Sequence, residues 1–151
     1  MPVVGNITGN PASAPAETIV NTFWPDIEPD HAREIIRIHS DVPAARLHYY
    51  LNNARYRVNA ELAAYQTAQQ ANGISHSDNL AEADAAQHHY RCAVYKYAEA
   101  ELIESYRDYD STASGHDRAE QQAASVDTLR ADAHRALVAI KGQPFATIEL
   151  L

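Results

Sequence analysis

The stretch from residue 44 to residue 65, AARLHYYLNNARYRVNAELAAY, decides the fold class. Its apolar residues Leu47, Leu51, Ala54, Val58, Leu62 and Tyr65 recur at spacings of four, three, four, four and three, which is the period of one face of an α-helix. A strand would alternate every second residue, and this stretch does not. Ser40 or Asp41 is placed to cap the start, Pro43 suits a first turn, and Gly73 stands where a C-terminal cap belongs. The pattern predicts one helix of about 30 residues, roughly 45 Å long at 1.5 Å per residue.

Helical period continues on both sides. Upstream, Pro29 fits a helix start, with Asp30 and Glu34 near the positive end and Ile35, Ile36 and Ile38 as its apolar side through His39. Downstream, a third helix is expected from Ser77 or Asp78 through Tyr90, Val94, Tyr97, Leu102, Ile103 and Tyr106 to about Asp110. The run Ser111 to Gly115 breaks it. Asp117 with Glu120 three residues on resembles a capping box, and Val126, Leu129, Ala133, Leu137 and Ile140 form the stripe of a fourth helix that Gly142 and Pro144 stop. The expected fold is all-α: a helical bundle with two long antiparallel central helices, the second and third, and shorter helices alongside.

The ends read differently. Residues 1–22 carry Pro2, Gly5, Gly9, Pro11 and Pro15 without helical period and are expected as an extended N-terminal arm. Phe23-Trp24-Pro25-Asp26-Ile27-Glu28-Pro29 combines aromatics that favour burial with prolines that forbid a helix interior, so it should lie extended against the fold. The helical domain then spans residues 23–143, and residues 144–151 form a tail. Its Phe145, Ile148, Leu150 and Leu151 fall outside the periodic core with nothing obvious to cover them, and it either docks on a partner or folds back over its own helices.

At 151 residues the chain is one domain, and 46% apolar with 21% charged residues is the balance of a folded protein rather than a disordered one. No run approaches the roughly 20 apolar residues of a membrane span, and MPVVGNITGN lacks the basic start and apolar run of a signal peptide. A net charge of -8 argues against a surface that wraps DNA. The charge is uneven. Residues 30–58 hold five basic side chains against three acids, whereas residues 59–127 hold four against twelve. The acidic excess reads as solvated helix faces.

Catalytic and metal-binding patterns are missing from the sequence. Among His31, His39, His48, His76, His88, His89, His116 and His134 no two lie three or four apart, the separation that puts two ligands on one helix face. There is no phosphate-binding glycine loop and no GxSxG elbow. Cys92, within an apolar helical stretch, reads as a small buried hydrophobe, and Glu99, Glu101 and Glu104 as an exposed face. No cofactor and no enzymatic activity are expected.

What remains is surface. At about 100° per residue, Ala45, Tyr49, Asn52, Tyr56 and Ala63 fall opposite the leucine stripe of the second helix. A small, tyrosine-bearing face opposite a packed one points to a second packing partner, because tyrosine offers apolar area with a polar tip. Tyrosines that simply lie on the surface or on intramolecular neighbours are the alternative. Phe23 and Trp24 are further candidates for a subunit contact.

Asn21-Thr22-Phe23-Trp24-Pro25-Asp26-Ile27-Glu28-Pro29 resembles the aromatic-Pro-Asp-Ile-Asp-Pro entry segment of the gpL family, the head completion proteins of peduovirus-type temperate phages with contractile tails. Pro43-Ala44-Ala45-Arg46-Leu47, Asn59-Ala60-Glu61-Leu62, Tyr90-Arg91-Cys92-Ala93-Val94, Glu104-Ser105-Tyr106-Arg107-Asp108, Ser125-Val126-Asp127-Thr128-Leu129-Arg130 and Ala139-Ile140-Lys141-Gly142-Gln143-Pro144 continue the likeness in order and spacing. The resemblance implies a virion protein of the phage neck, assembled in the host cytoplasm. It would bind the portal protein after DNA packaging, seal the filled head and give the tail a platform. Implied partners are the portal, through Phe145, Ile148, Leu150 and Leu151; neighbouring copies in a ring, twelve by analogy with helical adaptor rings; and a downstream neck or tail terminator protein. Packaged DNA would pass without sequence-specific binding, and no membrane is involved. The runner-up from composition alone is an oligomeric helical binding or regulatory module of the host cytoplasm.

Overall fold

The computed structural model of the chain describes residues 16–38, 41–107 and 113–142, with side chains in the last stretch described from residue 125. Its elements are α1 (Pro29–Ile35), α2 (Ala44–Glu61), α3 (Ala63–Ala71), a single 3-10 turn (Ser77–Asn79), α4 (Ala83–Arg107) and α5 (Ala113–Lys141). The architecture is all-α, and the only β pairing among the described residues is an isolated antiparallel bridge between Ile19 and Ile27.

α4 is the central element. Ala86, Tyr90, Ala93, Val94, Tyr95, Tyr97, Ala98, Ala100 and Leu102 are buried around most of its circumference, as expected of a helix covered on more than one side. α2 runs antiparallel along it, with Arg46 reaching Tyr106 at one end and Asn59 reaching Tyr90 at the other. α5 is its most extensive partner and is also antiparallel, joined to α4 by ion pairs of Lys96 with Asp132 at 3.5 Å and Arg130 with Glu104 at 2.7 Å. Ala93 of α4 and Ala133 of α5 are fully buried.

Several boundaries differ from the sequence expectation. The second helix is divided at Leu62, whose φ of -95° and ψ of 1° lie in the bridge region. The hydrogen-bond ladder nevertheless crosses it, Leu62 N–H donating to Val58 O at 3.0 Å and Gln66 N–H to Leu62 O at 2.9 Å. Leu62 is fully buried, like Leu51, Ala54 and Val58 before it. Pro43, not Ser40 or Asp41, occupies the N-cap of α2, with no side-chain cap bond. α1 stops at Ile35 and Ile36 turns extended, so Ile36 and Ile38 lie beyond it and His39 falls outside the described residues.

The third helix starts at Ala83 instead of Ser77, because Ser77 is pinned elsewhere. Its backbone N–H donates to Phe23 O at 2.9 Å, its hydroxyl accepts from Gln87 at 3.3 Å, and the side chain is fully buried. Ala113, Ser114 and Gly115, expected in the break, form the first turn of α5, which places Asp117 and Glu120 inside the helix rather than at its cap.

Gly73 closes α3 as expected. Its φ is +87°, its N–H donates to Gln70 O at 3.0 Å and the N–H of Ile74 to Gln69 O at 3.1 Å, the paired bonds of a Schellman motif. A side chain there would meet nothing within 4 Å, so the left-handed backbone alone sets the cost of Gly73→Ala. Thermal or urea denaturation is expected to show a loss of about 1–2 kcal/mol, and no loss would mean that the turn rearranges.

Candidate subunit interface

The entry segment supports one edge of the candidate face. Ile19 and Ile27 exchange backbone hydrogen bonds of 2.8 and 2.9 Å, closing residues 19–27 into a hairpin-like loop. Residues 19–22, expected within the arm, are thus anchored to the folded body, and Ile19 is buried. Inside the loop Trp24 stacks on Tyr90 of α4 with centroids 5.1 Å apart and 5° between planes, and on Tyr65 of α3 at 6.1 Å and 23°. Phe23 meets its edge at 5.0 Å.

A polar chain ties the same loop to α2 and α4. The Tyr90 hydroxyl donates to Asn59 Oδ1 at 2.6 Å, and Asn59 Nδ2 donates to Asn21 Oδ1 at 3.1 Å. Asn21 Nδ2 in turn donates to Pro25 O at 2.8 Å. Burial pushes the Tyr90 phenol far above its ordinary range despite Asn21, Arg55 and Asn59 nearby, so it stays a neutral donor.

Phe23 and Trp24 are 2% and 1% exposed. Their expected place at a subunit contact is therefore corrected: both belong to the chain's own core, where burial of their apolar rings outweighs presenting them to a neighbour. Ala45, Tyr49, Asn52 and Tyr56 lie on the outer side of α2, and Ala63 continues the line as the first residue of α3. Tyr49 and Tyr56 are 60% and 62% exposed, while Leu47, Leu51, Ala54 and Val58 on the opposite side are buried. Phe145, Ile148, Leu150 and Leu151 lie outside the described residues.

The face is ordered without being covered. Arg55 Cζ sits 4.3 Å from the centre of the Tyr56 ring, and Arg55 Nε donates to Asn52 Oδ1 at 3.1 Å. Its Nη1 donates to Val20 O at 3.3 Å, which brings Val20, 68% exposed, beside the tyrosines. The Tyr49 ring is braced edge-on by Tyr50 at 5.4 Å. On the flank, Arg57 lies over the Tyr97 ring at 3.9 Å and bridges Glu61 at 3.3 Å. Rings held this way lose little side-chain freedom on contact with a partner. Sequence periodicity found the tyrosines but missed Val20, because it comes from a segment without period that only the tertiary fold brings to α2.

Other sequence expectations resolve elsewhere. Cys92 is half-buried and burial raises its thiol above the ordinary value. Glu99, Glu101 and Glu104 are half-buried rather than exposed, Glu99 lining the cavities beside α1 and Glu104 pairing with Arg130 of α5. Among the described residues no group of three or more His, Cys, Asp or Glu is arranged to hold a metal ion, and no helix is long and apolar enough to cross a membrane.

Burial raises the Glu99 carboxyl above its ordinary value, with Lys96 and Arg37 offsetting part of the effect. A carboxyl with a higher pKa folded than unfolded is penalised when ionised, so its cost is present above the folded pKa and fades as pH falls through the carboxylate range. Glu99→Gln is accordingly expected to raise the melting temperature at neutral pH. The gain should shrink on acidification, which thermal melts across pH check; a gain constant with pH would assign it to packing.

The family model described as "Phage head completion protein (GPL)" matches residues 19–151 of the chain. The head completion/stabilization protein of Escherichia phage P2 is 33% identical over 132 residues, covering 83% of this chain and 78% of that protein. No solved structure matches.

Proposed function

The chain belongs to the phage head completion protein (GPL) family, and from that membership we propose that it binds the portal protein once DNA packaging ends, seals the filled head and presents the platform on which the tail assembles. It is a structural component of the virion, at the neck between head and tail, put together in the host cytoplasm. The single observation that carries the reading is a family match that runs from the entry segment to the last residue.

In this reading the subunits form a ring matched to the portal, twelve by analogy with other helical adaptors. The ordered, uncovered face of Ala45, Tyr49, Asn52, Tyr56 and Ala63 supplies the contact between neighbours. The tail docks on the portal through Phe145, Ile148, Leu150 and Leu151, and the far side of the ring meets a neck or tail terminator protein. A net charge of -8 suits a ring through which DNA passes without being held by its sequence.

Mixing the purified chain with portal protein tests the reading: co-sedimentation, and density at the portal end of filled heads by electron microscopy, are the expected results. Deleting residues 145–151 should leave a folded, soluble subunit that no longer stays on filled heads. One arm pays about 1–2 kcal/mol of backbone entropy per ordered residue, and a ring of arms recovers retention through avidity. Heads that the shortened chain still seals and joins to tails would remove the tail from the portal contact.

A further inference from the structure

The exposed large apolar residues among the described residues fall in two separate places. Val20, Tyr49 and Tyr56 gather at α2, whereas Ile35, 61% exposed, stands alone on α1. Ile35 forms one wall of a groove between α1 and α4, a cavity of about 470 Å³ that Ile36, Cys92 and Tyr95 also line. His31 Nδ1 and the Tyr95 hydroxyl, 2.7 Å apart, bridge α1 to α4 at its side. No residue of α2 lines this groove. On α4 its residues Tyr95 and Glu99 lie across the helix from Tyr90 and Tyr97, which face α2.

The two places are complementary in charge. Arg46, Arg55 and Arg57 flank the tyrosine face of α2, and Glu61, the only acid of that helix, is already bridged to Arg57. The groove itself holds Asp84 and Glu99 with Arg91 and Lys96, Arg37 lying near Glu99 and Lys96 being drawn toward Asp132 of α5, and the hollow adjoining it adds Asp26 and Glu28, which tip the side toward negative charge. A basic, aromatic ridge therefore faces one way and an acidic, apolar-floored groove another.

We propose that the α1–α4 groove receives the tyrosine face of α2 from a second copy of the chain, so that copies join head to tail. This rests on reading that face as the subunit interface. A copy cannot fill its own groove, because its own α2 lies on the other side of α4. Unlike surfaces that meet repeatedly give a heterologous contact, which closes into a ring when the rotation per copy closes. A face-to-face contact between two α2 helices would instead bring Arg55 of one copy against Arg55 of the other and end at a dimer.

The natural thiol of Cys92 makes the test direct, since it is the chain's one cysteine and lines the groove. Ala45→Cys adds a second, exposed thiol on the α2 face while keeping both tyrosines. Treating the concentrated full-length variant with a short bismaleimide is expected to give a ladder of covalent dimers, trimers and larger species, lost when Cys92→Ser is added. In parallel, Ile35→Asp and the double variant Tyr49→Ala with Tyr56→Ala should each weaken self-association by at least about tenfold in sedimentation. Mixed together they should form one-to-one pairs and nothing larger, since each keeps one working surface. Cross-linking that stops at dimers, or an Ile35→Asp chain that assembles like the native one, overturns the groove contact while leaving the α2 face in place. Association indifferent to Tyr49 and Tyr56 removes both. A chain that stays monomeric, or whose α2 face retains duplex DNA in place of another copy, also overturns the proposal.

Discussion

Trp24→Ala is expected to lower the stability of the chain by about 3–5 kcal/mol and its melting temperature by on the order of 10 °C. Trp24 is 1% exposed and its ring is enclosed by Phe23, Tyr65 and Tyr90. These neighbours come from the entry segment, α3 and α4, so no single movement refills the space. The loss combines transfer of the indole with a cavity and with the stacking, worth about 0.5–1.5 kcal/mol per pair. One feature works the other way. The indole N–H is buried with no acceptor among the described residues, an arrangement that costs about 1–3 kcal/mol. Trp24→Phe removes that donor while keeping an aromatic ring, so it should cost well under half of what the alanine variant costs. Urea denaturation of the two variants measures both losses. An alanine variant within about 1 kcal/mol of the native chain would show that the entry segment rearranges rather than anchors the fold.

That anchor was legible in the sequence as chemistry but not as position. Prolines around Phe23 and Trp24 excluded a helix and their size demanded burial, yet nothing in the segment says which helices form the box around them. The helices themselves were legible because Leu47, Leu51, Ala54 and Val58 repeat at helical spacing and are all buried. Their ends were not, wherever a distant contact outweighed local preference. Ser77 and Asp78 carry the signals of a helix start, but the bond from Ser77 to Phe23 and the burial of Leu80 hold that turn apart from α4. Leu62 continues the apolar period perfectly and still interrupts the helix. The tyrosine face followed from periodicity within one element, whereas the groove did not, because its walls belong to α1 and α4 and its apolar residues, Ile35 and Tyr95, each sit in stretches that read as ordinary core.

Tyr49→Ala combined with Tyr56→Ala is expected to abolish assembly while leaving the isolated subunit nearly as stable as before. Both rings stand more than half exposed, so removing them from the monomer costs within about 0.5 kcal/mol each. At an interface the balance differs. Tyrosines near the centre of a contact are frequent hot spots worth about 2 kcal/mol or more apiece, and two such losses weaken association by roughly three orders of magnitude if they add. They are seven residues apart, two turns of α2, so each has its own surroundings and additivity is a fair starting point. The Arg55 side chain must be kept, because it both stacks on Tyr56 and holds Val20 through its carbonyl. Replacing it would disturb the entry segment as well as the face. Melting of the purified subunit and its co-sedimentation with portal, measured on the same preparation, separate the two effects. A double variant that melts far below the native chain yet assembles normally would return both tyrosines to the monomer's own structure and leave the subunit contact to be sought on another face.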